Sequence, residues 1–276
     1  MKKHLFIFFL ISAATASAQW DKFNGLVYMK WGFQGGNSKI DKYFYETNPS
    51  TIGTQTTTPT VTASKGMDYK NKAIFMEIEA IKKNLIFGMR FGYGLKRMVS
   101  GVSNLHTRET TGFNCTFGYG FSLAKRISFI PTVRYNWYLF NAEGSPTTPT
   151  DMPKYFSKIG GNQRGFGLNV LLPFGEHILL RGGYYYEWIF RESKSQKGLA
   201  TTPEIELYIP LDDDHIFGFA FKIAMPNRKM YESYNPDNTS AYSPATSIKS
   251  FLWEASFSIP LTGSSTSQIV TVTVVE

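Results

Sequence analysis

The chain has 276 residues, with 29 Lys and Arg against 21 Asp and Glu, a formal net charge of +8, 16% aromatic residues and a single cysteine, Cys115. One cysteine excludes an internal disulfide and any thiol-based metal site within one chain. The basic residues are spread along the sequence without a nucleic-acid motif, so no nucleic-acid partner is expected.

In chain order, Lys2 and Lys3 precede an apolar run at 5–11 and the small-x-small site Ala16-Ser17-Ala18. This pattern predicts an export signal over residues 1–18, cut before Gln19. Taking 18 residues from 276 leaves 258, and losing Lys2 and Lys3 takes the charge from +8 to +6. No linker divides this remainder. Past the signal no apolar run reaches the ~20 residues of a membrane helix, so a bilayer can be crossed only by strands closed on themselves.

Ten strands are predicted, at 26–34, 73–81, 85–96, 111–123, 127–140, 164–172, 178–191, 204–211, 216–225 and 251–261. The third shows the pattern most clearly: Leu85, Phe87, Met89, Phe91, Tyr93 and Leu95 share one parity, and Ile86, Gly88, Arg90, Gly92, Gly94 and Lys96 the other. Only a strand sorts these sets onto two faces. The fourth repeats it, with Phe113, Cys115, Phe117, Tyr119, Phe121 and Leu123 against Asn114, Thr116, Gly118, Gly120 and Ser122. Links after the even-numbered strands are tight and those after the odd-numbered strands long, notably 35–72, 141–163 and 226–250. Short turns on one side and long loops on the other are the habit of outer-membrane barrels, which places both chain ends in the periplasm. The expected fold is therefore all-β: a transmembrane antiparallel up-and-down barrel of about ten strands over residues 19–261.

The apolar parity is too bulky to fill so narrow a barrel, because about eight strands already leave an interior that side chains fill. It is expected to face lipid, with Trp31, Tyr135, Trp137, Tyr184, Tyr186 and Trp188 as an aromatic girdle near the outer headgroups. A two-sheet sandwich also uses alternating faces and stays open as an alternative. The other parity is read to carry Lys30, Glu77, Glu79, Arg90, Arg134, Arg164, Arg181, Glu187, Glu204, Glu206, Lys222 and Glu254. Buried charges require partners, so Arg90 is expected to reach Glu77 or Glu79, and Arg181 and Glu187 to engage Glu204 and Glu206. Such a network plugs the lumen; a charge-selective eyelet in an open channel is the alternative.

No catalytic set is expected. His106 lies in an outer loop beside Ser103 and Glu109, while His177 and His215 lie in turns, and Asp212-Asp213-Asp214-His215 reads as a solvated acidic turn rather than a metal site. No cofactor is implied. Tyr43, Phe44 and Tyr45 in the first outer loop, with Tyr231, Tyr234 and Tyr242 in the fifth, are the candidate contact aromatics. Residues 262–276 follow the last strand and carry the β-prone run 268–275, a tail expected to offer a strand to a periplasmic or outer-membrane partner or to fold under the barrel, an eleventh or twelfth strand being the alternative.

The signal ending Ala16-Ser17-Ala18-Gln19, the segments Phe91 to Leu95 and Phe117 to Phe121, and Gly182-Gly183-Tyr184-Tyr185-Tyr186 resemble the broad outer-membrane barrel family of the Bacteroidota, which is similar in pattern to small OmpA-like and porin-like barrels. The likeness covers the whole mature chain and is compositional, so it transfers no functional residue. It implies an outer-membrane location in a Gram-negative bacterium, contact with lipids and insertion by the barrel-assembly machinery. The function expected is a non-enzymatic structural or partner-binding component of the outer membrane, including a subunit of a larger outer-membrane complex; the alternative is a narrow porin-like diffusion channel for small solutes.

Overall fold

The computed structural model describes residues 26–41, 66–82, 84–99, 105–123, 127–144, 154–174, 178–190, 196–211, 217–230 and 246–261, with short ribbon pieces from the loops between them. The expected signal (1–18) and tail (262–276), and with them His177, His215, Ser103, Tyr43 and Tyr231, lie outside the described residues.

Ten long strands form one ring: β1 Leu26–Ile40, β2 Met67–Lys82, β3 Leu85–Gly94 continued by Arg97–Met98, β4 Leu105–Tyr119 continued by Phe121–Leu123, and β5 Ile127–Gly144. The second half is β6 Lys154–Phe174, β7 Ile178–Phe190, β8 Gln196–Pro210, β9 Gly218–Ala224 continued by Asn227–Met230, and β10 Thr246–Pro260. Each pairs antiparallel with its sequence neighbour, and β1 pairs with β10 from Tyr28↔Pro260 to Ile40↔Ile248, which closes the ring. Closure removes every barrel edge, the condition for a sheet in hydrocarbon. The fold is a closed ten-stranded antiparallel barrel of the outer-membrane type.

All ten strands fall where alternation places them, but most run further at the end away from the termini. β1 continues to Ile40, β2 begins at Met67, β8 at Gln196 and β10 at Thr246. The long loops are correspondingly shorter than the spacing suggested. Along β2 the reason is visible: Ile74 and Met76 face out and Glu77 and Glu79 face in, whereas above them Met67 and Tyr69 face in and Asp68, Lys70 and Lys72 face out. Greasy and polar sides exchange while the geometric alternation is unbroken. The lower barrel is built for lipid, and the upper part is built like a soluble barrel.

The outward apolar band includes Trp31, Phe33, Ile74, Phe91, Phe117, Phe166, Phe221, Trp253 and Phe257, all exposed. Cys115 sits in it, opposite Met89 and Tyr135 and half-buried. After insertion, Cys115 should therefore react with an apolar maleimide and resist a membrane-impermeant charged one; equal labelling by both would put that face in water.

Glycine permits two close approaches that shape the upper barrel. Gly36 has φ of +153°, and a Cβ there would lie 2.1 Å from the Phe251 carbonyl oxygen. Gly112 is the extra residue where β4 slips against β5 between Trp137 and Tyr138, and a Cβ on it would lie 2.1 Å from the Trp137 ring. This bulge turns the upper part of β4 over, so that Glu109 faces inward.

Candidate functional site: the barrel lumen

The lumen is filled in three layers. At the periplasmic end Tyr28, Ile81, Ile86, Ile130, Leu171, Leu179, Tyr208 and Ala220 form an apolar floor. At the outer end Ile40, Met67, Tyr69, Val99, Tyr138, Phe140, Ile189, Ala200, Met230 and Ile248 form an apolar ceiling. The charged residues lie between. The β1–β2 loop adds a further cover: its ribbon Phe44–Glu46 pairs through the backbone with Val61–Ala63 and with Lys154 and Tyr155 of β6, four strands round the ring from β2.

Register arranges the ionic layer. Lys30, Glu77, Arg90, Asn114, Asn136 and Gln163 stand directly opposite one another across six consecutive strands, β1 to β6. Glu206, Lys222, Glu254 and Gln34 do the same from β8 round to β1. Alternating signs on adjacent strands remove the like-charge repulsion that would otherwise oppose pairing.

The side-chain heads then meet across the axis. Arg181 of β7 forms charge-assisted hydrogen bonds to Glu79 of β2 and Glu206 of β8, and Lys30 donates to the same two carboxylates, at 2.7 Å for Glu206. β2 and β7 are five places apart in a ring of ten, so this cluster is a strut across the full diameter. Arg90 donates to Glu254 at 2.7 Å and to Gln34 at 3.1 Å, and its guanidinium lies over the Phe75 ring, while Lys222 pairs with Glu254 at 3.0 Å. Arg134 lies between Glu187 and Glu204 at 3.8 and 3.6 Å, above the Tyr185 ring.

Several expected pairings are thus replaced. Arg181 meets Glu206 as expected, but Arg90 pairs with Glu254 rather than Glu77 or Glu79, and Glu187 and Glu204 share Arg134. In a narrow barrel, inward side chains converge on the axis, so a long arginine meets a remote strand as readily as its neighbour. Arg164 requires a correction: it shares the outward parity of Phe166 and Leu168, is exposed, and lies beside the Tyr135 and Phe190 rings. Its aromatic surroundings and long stem let it hold its charge at the lipid boundary outside the barrel. The six girdle aromatics all lie on outward parities; Trp31, Trp137 and Tyr184 are exposed, and Tyr135, Tyr186 and Trp188 half-exposed. Trp31, Tyr135, Trp137 and Tyr184 stand midway up their strands, which continue above them, while Trp188 lies two residues below the outer end of β7. The backbone of Phe44, Tyr45, Tyr234 and Tyr242 is in ribbon pieces, while their side chains lie outside the described residues.

A second cluster sits beneath the ceiling, and sequence reasoning missed it. Glu109 accepts from Tyr69 at 2.9 Å and Ser38 at 3.0 Å and pairs with Arg228 at 3.2 Å, while Arg228 covers the Tyr138 ring. His106, three residues from Glu109, is on the outer face opposite Met98 and Glu143, so these two do not come together.

Between strut and ceiling lies a cavity of about 50 Å³, lined by charged and amide side chains including Glu77, Arg90, Asn114, Arg134 and Asn136. At ~10–15 Å³ for each water centre, it has room for a few waters. Groups that such waters could satisfy are present, since the Asn136 Oδ1 and the Nε atoms of Arg90 and Arg134 have no protein hydrogen-bond partner. Among the described residues no group of three or more His, Cys, Asp or Glu side chains is placed to hold a metal ion.

No family model matches the sequence, and no curated protein matches it. Solved structures similar in chain path include the outer membrane protease OmpT from Escherichia coli, with 13% identity, 90% of this chain and 99% of that one covered, and a TM-score of 0.42. Neisserial surface protein A is similar at 10% identity, with 84% and 96% covered and a TM-score of 0.33. An outer membrane channel from Pseudomonas putida F1 is similar at 10% identity, with 86% and 96% covered and a TM-score of 0.38. The assignment of the fold rests on the closed ring of hydrogen-bonded strands, and no activity is transferred from these proteins.

Proposed function

We propose that this protein is a plugged outer-membrane barrel of a Gram-negative bacterium, a non-enzymatic structural or partner-binding component that works through its ends rather than through its lumen. The observation that carries this reading is the strut joining Arg181 to Glu79 across the whole diameter, with apolar layers above and below it. A hydrated ion following the axis would have to separate that pair and then cross two greasy seals. The cleaved signal and the membership in a Bacteroidota-like barrel group belong to the same proposal and rest on the residues quoted above for them. Contact surfaces are then the outer loops, with Tyr43, Phe44, Tyr45, Tyr231, Tyr234 and Tyr242, and the tail after residue 261.

In planar bilayers the purified barrel is expected to be electrically silent. Stable unitary conductance, retuned by Arg134→Ala or Glu187→Gln, would instead establish the narrow diffusion channel. For the partner arm, a protein co-purifying with the full chain from outer membranes and lost on deleting 262–276 is the expected result.

A further inference from the structure

We propose that the outer rim of β9, β10, β1 and β2 is a binding surface for membrane-lipid headgroup phosphates. This rests on the reading of the lower barrel as membrane-spanning. Lys229, Lys249, Lys39, Lys70 and Lys72 all face outward and are exposed on these four contiguous strands. They stand just above the apolar band: Lys72 is two residues above Ile74, Lys249 two above Phe251, and Lys229 four above Met225. Headgroups begin where such a band ends.

The register makes the cluster unfavourable without an anion. Lys39 stands directly opposite Lys249, and cross-strand neighbours have Cβ atoms about 4.5–5.5 Å apart, where like charges repel. On its other side Lys39 faces Asp68, and Asp41, the other described carboxylate on this rim, accepts from Ser247. Five lysines against two aspartates leave an excess of three positive charges. The described ion pairs all lie inside the barrel and involve none of these lysines. Asn37 and Ser247 lie on the same outward parity and add neutral hydrogen-bonding groups. The position selects the ligand: lysines at the upper limit of an acyl-chain band meet the phosphates of the lipids whose tails fill it.

The test uses the mature barrel in phosphatidylcholine vesicles, with brominated phosphatidylcholine or brominated phosphatidic acid as quencher. Trp253 and Trp31 lie on the outward face of β10 and β1, below the rim, and report which lipid is adjacent. The expected result is preferential quenching by the phosphatidic acid, weakened by salt and reduced about fivefold for each lysine lost, hence roughly 25-fold in K39Q/K249Q, since a lysine near an anionic surface contributes about that factor. Substitution of both by arginine should retain the preference. Equal preference in the wild type and K39Q/K249Q overturns the proposal. Relief of quenching by millimolar inorganic phosphate at constant ionic strength overturns the lipid as the source and leaves a free-phosphate site. Absence of quenching by either lipid means that the barrel has not inserted, in which case the membrane reading fails first and this proposal with it.

Discussion

Glu79→Ala is expected to lower the unfolding free energy of the barrel by about 3–5 kcal/mol, read as a shift in the urea midpoint in detergent micelles or vesicles. Glu79 is 1% exposed and holds Lys30 and Arg181 at once. Removing it leaves Glu206 as the only carboxylate of the strut for two buried cations. The loss is large because the cations stay desolvated, not because the pair itself is so favourable. A double change, Glu79→Met with Arg181→Met, should therefore cost less than Glu79→Ala alone, since Lys30 and Glu206 remain as a balanced pair and the added side chains are apolar. A cost below about 1 kcal/mol for Glu79→Ala would show that water reaches the strut as it reaches a surface ion pair.

Met89→Arg is expected to destabilise the inserted barrel by about 2–4 kcal/mol, the penalty for a charge at the bilayer midplane of a barrel. Met89 is the middle residue of the outward series Leu85, Phe87, Met89, Phe91 and Tyr93, with Ile78 and Cys115 directly beside it. The same arginine at Asp68 should cost no more than about 1 kcal/mol, the surface repulsion from Lys39 opposite it, because Asp68 lies on the polar outer face above Ile74. Unfolding of the two variants from vesicles separates the readings. If Met89→Arg behaved like Asp68→Arg, the greasy band would be facing something other than acyl chains.

The ten strands were legible because alternation between bulky and small or charged residues depends only on a two-residue period and a contrast between the two sides. The upper halves were not legible for the same reason. Residues 67–72 of β2 alternate as strictly as 73–81, but the apolar side has changed parity, so a search for one continuous greasy face ends at Ala73. The Glu109 cluster was hidden twice, by that exchange and by the bulge at Gly112, which reverses the parity of β4. Inward charges could be named from parity, with Arg164 the exception: it shares the parity of Phe166, Leu168, Val170 and Leu172, so the alternation of its own strand already set it on the outer side. Which charges pair across the axis could not be named, because strand order gives neighbours while Arg181 and Glu79 are set opposite each other by closure of the whole ring.

The exchange of sides along β2 also bears on how the molecule reaches its resting place. Everything above Ile74, including Asp68, Lys70, Lys72, Lys39 and Lys249, must be carried through hydrocarbon before the strands can settle, and each ionised group is costly at the bilayer centre. Translocation of this polar crown, rather than zipping of the greasy lower staves, is therefore the step expected to limit insertion into a lipid bilayer. Thin bilayers should shorten the passage and speed entry, and thick ones should strand the chain on the near side.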